Sequence, residues 1–252
     1  MLRIEALEKT YRTRTGALIR AIERYDFDVE HGELVSVVGP SGSGKSTLLK
    51  LIAGLIAPTG GRILLRGQEV VGPQPDFGIV FQAPTLLKWR SVLNNVLLPI
   101  QILRRPRAEY LTRARELLAM TGLEEFADVY PWELSGGMQQ RASICRALIH
   151  DPSLLLMDEP FGALDEMTRE VMNDQLLRVW SATHKTIVFV THSIPEAVYL
   201  ADHVVVVGPR PSQVVDVIRV DLPRPRTQAV KFTPEFAEAV KLVRARLGLD
   251  NG

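Results

Sequence analysis

Hydrophobic positions along the chain follow one period near the start, a second in the middle, and then alternate between the two. Leu2 to Tyr11 reads as a short strand, Thr13 to Gly16 as a loop. The run Arg24-Tyr25-Asp26-Phe27-Asp28-Val29-Glu30 alternates polar and apolar with period two, the mark of a half-exposed strand. After a turn at His31-Gly32, Leu34-Val35-Ser36-Val37-Val38 is nearly all apolar, which predicts a more deeply buried strand. Leu48-Leu49-Lys50-Leu51-Ile52 predicts a helix, and Pro58-Thr59-Gly60-Gly61 breaks the chain. Two more strands follow, Arg62-Ile63-Leu64-Leu65 and Gly78-Ile79-Val80-Phe81, the second ending at Gln82.

From Ala83 to Glu133 the period-two pattern disappears. Leu111, Ala114, Leu117 and Leu118 fall at helical spacing within a helix predicted over 108–120. The block is long enough for a helical subdomain and too short for a second core of its own. Strand and helix then alternate: a helix over 137–149, a strand over 154–157 ending at Asp158, and a helix over about 166–182. A strand over 186–190 ends at Thr191-His192, a short helix opens at Pro195, and a strand runs over 204–207. Such alternation with near-continuous apolar strands predicts a mainly parallel sheet with both faces covered. Val214 to Val220 reads as an edge strand, and Arg219, Arg224 and Arg226 among prolines read as a basic, extended connector. Thr233-Pro234-Glu235 is a helix start, and Phe236, Val240, Val243 and Leu247 give that last helix one apolar face.

Composition narrows the class. The 252 residues are 46% hydrophobic and 23% charged, ordinary for a soluble globular chain. A net charge of +1 offers no concentrated basic face for nucleic acid. The single cysteine, Cys145, excludes an internal disulfide and reads as a packing residue in a reducing compartment. No apolar run approaches the roughly 18–20 residues of a spanning helix, and the N-terminus lacks the form of a signal peptide. The expectation is a cytosolic protein unless a partner holds it at a membrane.

The chemistry starts at Gly39-Pro40-Ser41-Gly42-Ser43-Gly44-Lys45-Ser46-Thr47, between a buried strand and a helix. This is the setting of a phosphate-binding loop. Its glycines let backbone N–H groups face phosphate oxygens, and the helix N-terminus adds partial positive charge. Lys45 reaches the β- and γ-phosphates, and the Ser46 hydroxyl suits Mg²⁺. Asp158, at a strand end, suits the same ion, and Glu159 is placed to polarise a water for attack on the γ-phosphate. Strand C-termini collect ligands in open α/β sheets, so His192 reads as a γ-phosphate contact and Gln82 as either a Mg²⁺ or water contact or a plain polar strand end. Tyr11 reads as an adenine-stacking aromatic or as an ordinary strand-end aromatic. His31, His150, His184 and His203 read as surface or capping residues. A second glycine-rich helix start, Leu134-Ser135-Gly136-Gly137-Met138, is one cradle more than a single nucleotide needs. A head-to-tail dimer, each copy offering Ser135 to the nucleotide held by the other, uses both.

With these residues in order the chain resembles the ATP-binding subunit of ABC transporters, importer type, over roughly Leu2 to Val220. The matching motifs are Walker A (Gly39 to Thr47), the Q-loop Gln82, the signature Leu134 to Met138, Walker B (Leu154 to Asp158) with Glu159, the D-loop Gly162 to Asp165, and the switch His192. Met138 departs from the glutamine most common there. Tyr11 falls where the family has its adenine-stacking aromatic. The segment FQAPTLLKWRSVLNNVLLP looks most like the subgroup moving nitrate, sulfonates, taurine, or vitamin precursors such as pyrimidines and riboflavin.

The resemblance implies an α/β P-loop NTPase core with a mainly parallel sheet, an N-terminal antiparallel β subdomain and an inserted α-helical subdomain. The ATPase domain would span 1–220, with the helical insertion at about 83–133, and 221–252 would be a connector and amphipathic helix. It implies ATP and Mg²⁺ (on Ser46, Gln82 and Asp158), catalysis by Glu159, His192 and Gln82, and a homodimer or paired ATPase subunit closing over two nucleotides. It also implies separate transmembrane permease subunits, an extracytoplasmic substrate-binding protein, no nucleic acid, and a peripheral place on the cytoplasmic face of the membrane. The permease would dock near Ala83 to Asn95, where an exposed Trp89 fits docking and a buried one fits a core. A soluble ABC ATPase not coupled to transport and a catalytically inactive regulatory module are the alternatives.

Overall fold

The computed structural model describes residues 1–249, which form two compact units. Met1–Gln74 with the chain from Thr186 onward makes the first, and Pro75–Lys185 makes the second.

In the first unit, β1 (Leu2–Arg12) and β2 (Leu18–Val29) pair antiparallel, with register breaks after Ile4, Leu7 and Lys9. Both are longer than their alternation predicts, because cross-strand pairing carries them to Arg12↔Leu18 at the hairpin end. β4 (Gly60–Leu65) and the two-residue β5 (Gln68–Glu69), which no local pattern announces, extend this antiparallel sheet. The parallel part is β3 (Leu34–Val38), flanked by β8 (Thr186–Thr191) and β9 (His203–Val207). Every residue of β3 and β8 is buried, so their unbroken apolar runs are the expected sequence for strands covered on both faces.

Strand β10 (Ser212–Arg219) corrects the edge-strand expectation. It runs antiparallel to β9 and also meets β2 in parallel at Ser212↔Ile22 and Gln213↔Arg24. The strand order of this unit is therefore β5-β4-β1-β2-β10-β9-β3-β8. A strand with alternating burial reads as an edge locally, yet its first two residues close the gap between two sheets. Helix α1 (Lys45–Ile52) follows β3, α7 (Ile194–Leu200) follows β8, and α8 (Pro234–Arg246) ends the unit. Phe236 and Val243 bury the predicted face of α8, which packs on α7, β9 and β10.

Arg224 and Arg226 are not a solvated basic connector. Arg226 is 7% exposed, and its guanidinium donates to the carbonyls of Val198, Tyr199 and Ala201 at 3.2, 3.0 and 2.8 Å. Arg224 donates to the Leu200 carbonyl and to Asp202. The last carbonyls of α7 have no partners within the helix, and a cation there also complements the helix dipole.

The second unit pairs β6 (Phe77–Val80) in parallel with β7 (Leu154–Asp158). Helices α2 (Val92–Val96), α3 (Leu98–Ile102), α4 (Arg107–Met120), α5 (Gly136–Leu148) and α6 (Glu166–Thr183) complete it. α5 is buried almost all round, and Ala114, Leu117 and Leu118 of α4 are buried where α4 meets it. Cys145 is fully buried there, beside Thr121 and the Leu117 carbonyl, and burial pushes its thiol up to about 12. A thiol so held is a packing group rather than a nucleophile. The architecture is the α/β P-loop NTPase arrangement that the motifs imply, with its parallel strands, antiparallel N-terminal sheet and α-helical insertion.

Candidate functional site

In the first unit the phosphate loop joins β3 to α1. Gly39 is glycine for lack of room: a Cβ there would lie 2.5 Å from Val207 Cγ2 and 2.6 Å from its carbonyl oxygen. Gly42 and Gly44 have φ of +75° and +92°, a region closed to most side chains. Pro40, Ser41, Gly42 and Ser46 lie at the outer face, with Ser41 and Ser46 exposed. No side chain caps the start of α1, and no acidic residue occupies its first turn, which suits that helix end to an anion.

Lys45 is buried, and its ammonium donates to the carbonyls of Gly39 at 2.9 Å and Pro40 at 3.0 Å. The charge is therefore held inside the curve of the loop. Ser43 Oγ is buried without a hydrogen-bond partner, an orphaned polar atom in the same loop. Two left-handed glycines, a buried ammonium and an uncapped helix start together fit a polyphosphate.

Tyr11 lies beside this loop. Its hydroxyl is 3.4 Å from Thr47 Oγ1, the residue is 38% exposed, and Lys9 Nζ stands over the ring, 5.2 Å from its centre. A partly exposed aromatic ring at the end of the phosphate loop suits a stacked base. His192 is exposed, one residue past β8. The turn that carries it is tied by Thr191, which donates to Glu196 at 2.5 Å and accepts from Ser193 N at 3.0 Å.

In the second unit, Gln82 is exposed and lies two residues beyond β6, which ends at Val80 rather than at Phe81. Asp158 is the last residue of β7, and Glu159 follows with φ of +43°. A glutamate in the left-handed region is strained, and strain of this kind marks functional turns. Gln82 Nε2 and Glu159 Oε2 each lie 3.6 Å from the position a Cβ would take on Gly162, so both side chains border the same glycine. Among the described residues no cluster of three or more His, Cys, Asp or Glu side chains is built to hold a metal ion. A Mg²⁺ that relies on one or two protein groups and on substrate phosphates needs no such cage.

The second glycine-rich start opens α5. Ser135 is its N-cap and accepts from Met138 N at 3.3 Å, and Leu134 is buried while Ser135 and Gly136 are exposed. A Cβ on Gly137 would come 3.0 Å from Thr168 Cγ2, so a side chain there would press on α6. Asp165 caps α6 by accepting from Thr168 N and Oγ1, and these bonds hold its carboxyl below the usual range.

Several residues that bear on the site carry no motif. From α5, Gln140 donates to the Phe81 carbonyl at 3.1 Å, and Arg146 donates to Pro84 and Thr85 oxygens at 2.8–3.0 Å. The segment around Gln82 is thus fastened at both ends to the helix that Ser135 caps. In the first unit, the Tyr25 hydroxyl reaches the Ser43 carbonyl. For Tyr25 a signal existed: a phenol at a buried phase of the alternation needs a polar partner.

His150 departs from its surface reading. It lines an open groove of about 410 Å³ with Phe77, Phe81, Thr85, Leu98 and Arg146, all within the second unit. Its Nε2 lies 3.2 Å from the Phe77 carbonyl and so carries the proton, and Nδ1 is buried without a partner. Trp89 is 73% exposed, which excludes the core reading. His184 caps α6, as expected of a capping residue, whereas His203 is half-buried against Glu33.

The chain is similar to known proteins. Residues 22–162 match the ABC transporter family. An uncharacterized ABC transporter ATP-binding protein of Methanocaldococcus jannaschii is 47% identical over 96% of this chain and 89% of its own. A taurine import ATP-binding protein of Rhizobium johnstonii is 44% identical over 98% and 96% of the two chains, and one of Pseudomonas putida is 42% identical over 98% and 95%. A dimeric ATP-binding cassette solved in a post-hydrolysis state with ADP and Pi superposes with a TM-score of 0.76 at 33% identity, covering 88% of this chain and all of that one.

Proposed function

Because the chain belongs to the ABC transporter family, we propose that it is the ATP-hydrolysing subunit of an importer, acting as a dimer on separate permease subunits. The phosphate loop carries this reading, with buried Lys45, its two left-handed glycines and the uncapped start of α1. In this reading Gly39 to Thr47 hold the triphosphate and Tyr11 stacks on the adenine. Ser46, Asp158 and Gln82 would hold Mg²⁺, which neutralises charge on the β- and γ-oxygens when bound. Glu159 accepts a proton from the attacking water, the oxygen bonds to the γ-phosphorus, and the bond to the β-bridging oxygen breaks, leaving ADP and phosphate. His192 contacts the γ-phosphate. Leu134 to Met138 of a second copy close over the same nucleotide, with Asp165 at the subunit boundary. The dimeric cassette that this chain resembles supports the pairing.

The permease reading rests on the open groove of the second unit. Apolar Phe77, Phe81, Leu98 and Ile102 line it next to the segment that carries Gln82. No helix among the described residues is long and apolar enough to cross a membrane. We place the subunit on the cytoplasmic face of the membrane, served from the other side by a substrate-binding protein. The taurine import relatives make a small sulfonate or a similar anion the first cargo to test. No observation favours an uncoupled soluble ATPase or an inactive module.

The test is purification with the membrane subunits, reconstitution in vesicles, and uptake of labelled taurine against nitrate. ATP-dependent uptake is the expected result, abolished by Glu159→Gln. ATP hydrolysis in the absence of any membrane partner after exhaustive co-purification would favour the uncoupled ATPase instead.

A further inference from the structure

Beneath the phosphate loop lies a buried hydroxyl pair that the nucleotide chemistry does not use. Tyr25 is 0% exposed on β2, and Ser212 is 0% exposed at the start of β10. The Tyr25 hydroxyl donates to the Ser43 carbonyl at 3.2 Å and lies 2.7 Å from Ser212 Oγ, which in turn donates to the Gly208 carbonyl at 3.0 Å. Ser43 stands between the two glycines of positive φ, Gly42 and Gly44.

The planar trans peptide makes this hydrogen bond consequential. The Ser43 carbonyl and the Gly44 N–H belong to one peptide unit and point to opposite sides of it. Gly44, with φ of +92°, leaves that unit otherwise easy to flip. A donor that holds the carbonyl on the inner side therefore holds the N–H away from it, on the side where a phosphate would sit.

We infer that Tyr25 is a positioning residue of the phosphate loop: its hydroxyl pins the Ser43 carbonyl so that the Gly44 N–H is set for phosphate before nucleotide arrives. Ser212 tunes the same hydrogen bond. When Ser212 gives its proton to Gly208, the single Tyr25 proton is divided between the Ser43 carbonyl and Ser212 Oγ. Removal of the Ser212 hydroxyl leaves the Ser43 carbonyl as the acceptor for Tyr25. The two deletions are thus expected to act on nucleotide binding in different directions, although each removes a buried hydrogen bond.

The inference rests on the loop being the phosphate site, and the experiment separates the two claims. A fluorescent ATP analogue is titrated against wild type, Tyr25→Phe and Ser212→Ala, with thermal unfolding of each measured in parallel. The expected result is a Kd raised about fivefold in Tyr25→Phe, the effect of removing roughly one hydrogen bond. Turnover at saturating ATP should stay within about twofold of wild type, because the ring and the acids are untouched. Ser212→Ala should unfold at lower temperature yet bind the analogue as tightly as wild type or more so. Equal affinity of Tyr25→Phe and wild type overturns the inference, as does an equal weakening in both variants, which would reduce the pair to a structural role. If Tyr25→Phe does not fold, weakened binding by Ser212→Ala alone overturns it. Failure of the wild type to bind the analogue overturns the phosphate-site reading instead.

Discussion

Lys45 shows how a single residue combines structure with chemistry. Its ammonium is buried, and loop carbonyls of Gly39 and Pro40 are hydrogen-bond partners that offset its burial. Those carbonyls are neutral acceptors, and the two bonds solvate the positive charge. Lys45→Ala is expected to lower ATP affinity by about tenfold or more, the scale of one charge-assisted hydrogen bond to phosphate, and equilibrium dialysis with labelled ATP measures it. His150 offers a prediction in pH. Burial, chiefly, lowers its affinity for a second proton, and that proton would have to enter on Nδ1, which has no acceptor nearby. The folded pKa lies below the unfolded value of about 6.5, so the unfolded chain binds more protons between the two. The contribution to stability is present above about pH 6.5 and is lost as pH falls through the folded pKa. Thermal midpoints measured from pH 8 to pH 5 should fall on the acid side, and His150→Gln should flatten that part of the curve.

At the scale of elements, polar side chains from distant segments fasten helix ends and loops. Arg226 satisfies the carbonyls that close α7, and it does so from the segment after β10. Substitution by methionine would keep much of the apolar stem but strand several buried acceptors. Arg226→Met is expected to cost about 3 kcal/mol in denaturant unfolding. Arg219, with 75% of its side chain exposed beside Asp221, is the control, and Arg219→Met should change stability by no more than about 0.5 kcal/mol. Gln140 and Arg146 serve the Gln82 segment in the same manner. Local periodicity showed that α5 exists and where it starts to within one residue. It gave no sign that two of its polar residues turn back to grip the chain on either side of Gln82. That grip depends on hydrogen bonds between residues 59 to 62 positions apart in sequence, which no window of local pattern covers.

At the scale of the whole molecule, the proposed unit of function is a pair of chains, and Ser135 tests the pairing. Ser135→Arg keeps Gly136 and Gly137 but sets a long cation at an exposed helix start. Hydrolysis by the assembled protein is expected to fall at least about a hundredfold, the scale on which one transition-state hydrogen-bond donor matters. ATP binding by the separated subunit should stay near the wild-type value. Unchanged turnover would remove Ser135 from the reaction. Much of this molecule is encoded in short windows. The run Leu34 to Val38, the glycines and lysine after it, and the acids after Leu154 to Met157 each state a strand, a cradle or a carboxylate through local sterics and apolar period. Those cues act over a few residues, so they survive in a bare sequence. The pairings of buried polar groups do not: Tyr25 with Ser212 spans 187 residues, and Arg226 with α7 spans 25 to 28. A buried hydroxyl or guanidinium must find a partner, and many partners would satisfy that demand equally well in principle. Folding selects one of them by bringing particular strands and helices side by side, which is how β10 became an interior strand and a run of arginines became helix caps.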